Sequence, residues 1–347
     1  MTDLTNTPLL QAYRGRTPVR RPIWFMRQAG RYLPEYQAIR GKHSMLDVIR
    51  TPALAAEVTL QPLRRFDLDG SIIFSDILSP LIGMGIELDF VAGEGPKIFN
   101  PITSRSDVAR LTVPEPERNI GYTLEAMNRV TAELSPRGIP LIGFSGAPYT
   151  LSSYLLAEES PHTGQTTKKF LWRHPEAWRD LQTKLEQLVA EYLVAQVKLG
   201  GASAVQLFDS WVGALSPLEF NTLVAPSLHR IVTHVRAHVD VPLVYFGTGT
   251  AGLYPEIAKL GFDVVGVDWR IALSDAYRLL GIPVTLQGNL DPLVLFASRA
   301  EVERAVGRVL EDARALPAHV FNLGHGLLPG TPIENVQAVI EYVRAWR

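Results

Sequence analysis

Eight short apolar segments recur along the chain, at 22–26, 70–74, 140–144, 204–208, 242–246, 263–267, 283–287 and 319–323. Most lead into small or polar residues. Between them lie stretches with helical periodicity, at 51–66, 121–134, 181–199, 223–239, 253–260, 274–280 and 299–316. Thr51-Pro52 and Ser44 offer helix starts, and Gly200-Gly201 closes the longest helix. Strands this poor in charge, alternating with helices, form a parallel sheet covered on both faces. Eight such units are the arithmetic of a closed (β/α)8 barrel, although eight strands alone do not exclude an open, doubly wound sheet. The glycine- and proline-rich stretch 84–105 reads as an insertion with a hairpin. No linker divides the chain, so one domain over residues 1–347 is expected. In a barrel, sites lie at the carboxyl ends of the strands, and the residues after each segment would ring one mouth.

The first segment ends in an abrupt change of polarity. Pro22-Ile23-Trp24-Phe25-Met26 gives way to Arg27-Gln28-Ala29-Gly30-Arg31, with Tyr32 and Tyr36 close behind. Arginine offers a planar fork that fits a carboxylate bidentately, and aromatic walls favour a partly desolvated guanidinium. This points to an anion site rather than a solvated loop. Asp76 follows the second segment among apolar neighbours, where a carboxylate is costly unless a cation or donor meets it. It reads equally as a helix cap or partner of Arg27, and as an anion held for a positive charge on a substrate. Tyr154 follows the third segment and alone reads as a core tyrosine. Ser210 follows the fourth beside Asp209; with no base or nucleophile elbow nearby, it suits hydrogen bonding better than nucleophilic attack. His325 stands between Gly324 and Gly326 after the eighth segment, where the glycines would let a ligand approach the backbone.

Two rival chemistries are weaker. Gly247-Thr248-Gly249-Thr250-Ala251-Gly252 matches the dinucleotide fingerprint, with Asp268 at about the right distance. However, the fingerprint normally marks the first β–α turn of its domain, and four strand-like units precede it here. Asp209, Asp268, His325 and Glu158 could be assembled into a metal site, but no pair has motif spacing. The absence of cysteine excludes disulfides, thiolate nucleophiles and every cysteine-ligated metal. A net charge of -1 points to neither nucleic acid nor an anionic membrane. The uncharged run 139–157 approaches spanning length but is broken by Pro140, Gly143, Gly146 and Pro148. The start of the chain lacks the pattern of a signal peptide, so a soluble, cytoplasmic protein is expected.

Residues 22–36 resemble the first signature of the uroporphyrinogen decarboxylase family, and Gly143-Phe144-Ser145-Gly146-Ala147-Pro148-Tyr149-Thr150-Leu151 resembles the second, with Tyr149 where Trp or Phe is usual. Phe74-Ser75-Asp76-Ile77, Gln206-Leu207-Phe208-Asp209-Ser210 and Asn322-Leu323-Gly324-His325-Gly326 are similar to further blocks of that family. The resemblance implies a single-domain (β/α)8 TIM-type barrel, a homodimer, no cofactor and no metal. It implies removal of carbon dioxide from the four acetates of uroporphyrinogen, an anionic tetrapyrrole, to give coproporphyrinogen. By the same resemblance Asp76 and Arg27 are catalytic: Asp76 faces the pyrrole N–H groups, and Arg27 takes part in proton transfer. Arg27 and Arg31 would hold substrate carboxylates. The backbone through Gln28, Ala29 and Gly30 would line the same wall, and Tyr154, Ser210 and His325 would hydrogen-bond side-chain carboxylates. The related corrinoid and thiol methyltransferases bind zinc through histidine and cysteine, which a chain without cysteine cannot do.

Overall fold

In the computed structural model, which describes residues 4–91, 95–156 and 164–346, the apolar segments become the staves of one curved sheet. Seven ladder strands run parallel in the order β1 (Ser71–Ile72), β4 (Leu141–Gly146), β5 (Ala204–Asp209), β6 (Leu243–Gly247), β7 (Val264–Gly266), β8 (Thr285–Leu290) and β9 (His319–Leu323). Every residue of β4, β6, β8 and β9 is buried, as a sheet covered on both faces requires. The expected hairpin is β2 (Leu88–Val91) against β3 (Gly95–Ile98), antiparallel and outside the barrel.

The eighth stave is residues 22–26, held by single bonds rather than a ladder. Phe321 N–H donates to Pro22 O at 2.9 Å, and Ile23 forms a parallel bridge with Phe321. On the other side, Asp69 N–H donates to Ile23 O at 2.9 Å, so the segment joins β9 to the start of β1. Proline has no N–H, and Arg27 ends the extended run at a φ of 59°.

Most helices fall where the periodicity places them, including Pro52–Arg65, Pro175–Lys198, Leu273–Leu280 and Arg299–Asp312. Pro116–Leu134 begins before the expected 121, across a non-helical Ile120. The expected 253–260 helix is broken into short turns. Arg299–Asp312 is not the last helix: Ile333–Ala345 follows, with Val336, Val339, Ile340 and Val343 buried.

The amino ends of the staves form a foot that is filled and bolted. Helix Pro8–Tyr13 lies across it, and Tyr13 is fully buried. The Tyr13 hydroxyl donates to Gln287 Oε1 at 2.6 Å, and Trp24 Nε1 donates to the same oxygen at 3.0 Å. Gln287 Nε2 in turn donates to Gln206 Oε1 at 3.2 Å, so interior polar groups satisfy one another. Beside them Asp69 accepts from Ile23 N–H at 2.8 Å, from Arg20 Nη2 at 2.7 Å and from Arg344 Nη1 at 2.8 Å. That carboxylate ties the first stave, the second and the last helix together.

Candidate active site

The carboxyl ends of the staves form the opposite mouth, and Arg27 enters it through a turn only a strained backbone can make. It is the sole non-glycine residue with positive φ among those described. Gln28 fixes the turn from below: Gln28 is buried, its Oε1 accepts from Phe25 N–H at 3.1 Å, and its Nε2 donates to Gly70 O at 3.1 Å. Its side chain is therefore committed to the joint between two staves, and its N–H donates to Phe25 O at 3.1 Å. Ala29 is buried behind the same turn.

Asp76 follows the neighbouring stave, half-buried beyond β1. One oxygen accepts from Leu78 N–H at 2.9 Å. Burial pushes its pKa up, against the pull of that bond and of the nearby Arg27 charge. Among the described residues Asp76 makes no ion pair. Neither the helix cap nor the Arg27 ion pair read from sequence forms. The bond to Leu78 N–H is a local turn ahead of the short helix Ser79–Met84, whose N-cap is Leu78 without a side-chain cap, and Arg27 acts on Asp76 only through its charge.

Tyr154 is half-buried on helix Pro148–Leu156, its ring edge-on to Trp211 at 6.1 Å. Burial and then the Asp76 charge raise its hydroxyl pKa, while Arg27 acts in the other direction. Its ring packs against the edge of the core while its hydroxyl feels both charges. His325 sits edge-on to Phe246 at 6.3 Å and to Trp269 at 6.4 Å. Burial, then Arg27 and Arg270, lower its pKa to about 4, so the imidazole is neutral at pH 7 and keeps one donor and one acceptor. Arg27, Asp76, Tyr154 and His325 thus form one cluster.

The glycines beside His325 serve the protein itself. A methyl at Gly326 would meet Arg27 Cδ at 2.5 Å, and one at Gly324 would strike the backbone of Trp269. Ser210 is half-buried at the end of β5, its carbonyl accepting from Thr248 Oγ1 at 2.6 Å. Arg31 is exposed; its carbonyl accepts from Gln37 Nε2 at 2.7 Å, its guanidinium makes no hydrogen bond or ion pair among the described residues, and its charge reaches the buried Tyr36. Below the mouth Asp209 is fully buried, accepting from Thr150 Oγ1 at 2.7 Å and Tyr245 OH at 2.9 Å. Burial outweighs those bonds and raises its pKa to about 6.

The rival sites do not assemble. Gly249 N–H donates to Asp268 Oδ2 at 2.6 Å, and Arg270 Nη1 pairs with that same oxygen at 2.7 Å. The acid that a dinucleotide ribose would need is thus occupied, and Gly213 packs against Thr248 and Gly249. No group of three metal-capable side chains exists among the described residues, and Glu158 lies outside them. No described helix is long and apolar enough to cross a membrane. Trp211, Trp269 and Arg270 are mouth residues that sequence reading missed. Trp269-Arg270 carries the same signal as Arg27, an abrupt charge and aromatic after an apolar strand.

These features define a class: a parallel α/β barrel whose mouth pairs an unneutralised carboxylate with arginines and neutral hydrogen-bonding groups. A solved methyltransferase from Methanosarcina mazei shares the fold, with a TM-score of 0.81 at 19% identity over 99% of this chain and 98% of that one. The uroporphyrinogen decarboxylase family model matches residues 4–346, and the chain belongs to that family. A uroporphyrinogen decarboxylase from Chloroflexus aurantiacus is 47% identical over 340 residues, covering 97% of this chain and 95% of its own length. One from Rhodococcus opacus is 46% identical over 347 residues, covering 99% and 96%.

Proposed function

We propose that this protein decarboxylates the four acetate side chains of uroporphyrinogen III, without a cofactor, to give coproporphyrinogen III for tetrapyrrole biosynthesis. Family membership supports the reaction. The observation that carries the mechanism is Asp76, a half-buried carboxylate at the mouth with one backbone donor and no ion-pair partner among the described residues.

Each cycle converts –CH2–CO2⁻ to –CH3, consuming one proton and releasing CO2. The pair of electrons in the breaking C–C bond needs a sink. A pyrrole protonated at a ring carbon is a cation and accepts that pair. A proton then adds to the exocyclic carbon, and loss of the ring proton restores the pyrrole. Asp76 faces the pyrrole N–H groups and stabilises the cation. A charge already in place in a dry site can contribute about 3–4 kcal/mol to such a step. The raised pKa of Asp76 suits this role, because an arriving cation draws the carboxyl back to its ionised form. Arg27 completes the catalytic pair and takes part in proton transfer. Arg27 and Arg31 hold substrate carboxylates, with the backbone of Gln28, Ala29 and Gly30 on the same wall. Tyr154, Ser210 and neutral His325 hydrogen-bond the side-chain carboxylates.

The test is anaerobic incubation of metal-free protein with chemically reduced uroporphyrinogen, then oxidation and chromatography. Stepwise loss of carboxyl groups down to coproporphyrin, with nothing added, is expected. No conversion, or conversion only with added metal or NAD, would overturn the reading. The proposal includes a cytoplasmic homodimer in which residues 1–347 form one domain. A monomer in sedimentation, or two separate unfolding transitions, would count against those parts.

A further inference from the structure

We propose that Arg270, stacked on Trp269, is a third carboxylate anchor of the mouth and holds a propionate of the tetrapyrrole. The inference rests on the decarboxylase reading for the ligand but on separate residues for the site. Arg270 follows β7, three staves round the rim from Arg27 by way of β9 and β8. Its guanidinium carbon lies 4.0 Å from the centre of the Trp269 ring. Asp268 holds the residue twice: Oδ1 accepts from Arg270 N–H at 3.0 Å, and Oδ2 pairs with Nη1 at 2.7 Å. Asp268 is itself pinned by Gly249 N–H at 2.6 Å. The fork is therefore oriented before a ligand arrives, while 51% of the side chain remains exposed.

A surface ion pair alone needs none of this order. Trp269 packs edge-on against His325, and the Arg270 charge reaches the His325 ring, so the fork belongs to the same cleft. The ligand chemistry requires more cations than Arg27 and Arg31. Uroporphyrinogen carries acetates and propionates on every pyrrole. The acetate being removed must lie beside Asp76, and acetates disappear as the reaction proceeds. An anchor remote from Asp76 is useful in every cycle only if it holds a group that survives all of them, which is a propionate.

The test uses coproporphyrin III, a fluorescent tetrapropionate that cannot be decarboxylated further by this reaction, with Arg270→Gln and Arg270→Lys. Fluorescence titration should show binding about tenfold weaker for Arg270→Gln, with partial recovery in Arg270→Lys, which keeps the charge but not the stacked fork. The salt dependence of binding should weaken in step. Steady-state decarboxylation of uroporphyrinogen by Arg270→Gln should show KM raised by a similar factor with kcat within about twofold, the signature of uniform binding. Unchanged coproporphyrin affinity in a folded Arg270→Gln, with only a lowered Tm, would reduce Arg270 to a structural partner of Asp268 and overturn the proposal. So would a fall in kcat at constant KM. Because the binding readout needs no turnover, an inactive wild type would defeat the decarboxylase reading without obscuring this one.

Discussion

Asp69 and Asp76 lie at the two ends of the same stave and have opposite surroundings. At the foot, Asp69 is 1% exposed in its side chain and receives two arginines and a backbone N–H. At the mouth, Asp76 receives one backbone N–H, has no ion-pair partner among the described residues, and is half-buried. The first holds the barrel shut. The second is an unfinished electrostatic site, and an unfinished site is what a transition-state cation can complete. The difference shows that burial of an acid does not by itself mark function. What remains unsatisfied around it does.

The contrast is broken most sharply at the foot. Asp69→Ala leaves Arg20 and Arg344 without their shared buried partner and frees Ile23 N–H. Asp67 still pairs with both arginines, at 3.4 Å and 2.8 Å, so the expected loss is about 1–3 kcal/mol of stability in urea unfolding, chiefly from the buried Ile23 N–H left without its acceptor. Turnover per folded molecule should persist. A variant as stable as wild type would mean that the clasp does not close the barrel. Asp76→Asn is the mirror experiment. The amide oxygen can still accept from Leu78 N–H, so Tm should hold or rise. Turnover should fall about 10²–10³-fold, with porphyrin affinity retained. If turnover survived, the cation-stabilising role would be wrong. Because burial raises the Asp76 pKa, the acid limb of kcat/KM should lie above the usual aspartate range, and His325, already neutral above about 4, should add no step near pH 6.5.

Most of this was legible in the sequence because the physics is local. Strand–helix alternation gave the staves, and the polarity flips after residues 26 and 74 pointed to Arg27 and Asp76. What stayed hidden depends on contacts distant in the chain. Gln28 looks like a site residue because it stands between two arginines, but its amide is spent on Phe25 and Gly70. The glycines around His325 suggested space for a ligand, whereas that space belongs to Arg27 and Trp269. Helix Pro8–Tyr13 carries no long periodicity, so nothing marked it as the cover of the foot. Asp69 is one acid in Asp67-Leu68-Asp69-Gly70, and its partner Arg344 lies near the other end of the chain.

Asp209 stands between the two extremes, buried like Asp69 but held by hydroxyls rather than cations. Folding raises its pKa from 3.8 to about 6. The native state therefore holds this proton more tightly than the unfolded chain, and the associated stability is complete below pH 3.8 and lost as pH rises through about 6. The loss over that window is at most about 3 kcal/mol. Asp209→Asn should remove it, so the difference in urea stability between pH 4 and pH 7 should shrink. An identical difference in the variant would show that folding does not raise the Asp209 pKa.

The smallest change tests the mouth without touching a charged group. Gly326 has no positive φ, so its backbone accepts alanine, but the added methyl would lie 2.5 Å from Arg27 Cδ and 2.6 Å from Cγ. Two responses are possible. If Arg27 swings aside, the core is undisturbed and Tm stays within a degree or two. The guanidinium then leaves the Asp76 cluster, and kcat/KM should fall about tenfold, well short of the Asp76→Asn loss. If the strained turn at Arg27 yields instead, the cost appears as stability, because Gln28 and the joint to Gly70 move with it. Thermal unfolding and kinetics measured on the same Gly326→Ala preparation separate the two. A fall in activity at constant Tm is expected, because a side chain turns about its own bonds more easily than a turn pinned by Gln28 reorganises. Loss of Tm with activity per folded molecule unchanged would mean that the position of Arg27 matters to the fold and not to the chemistry.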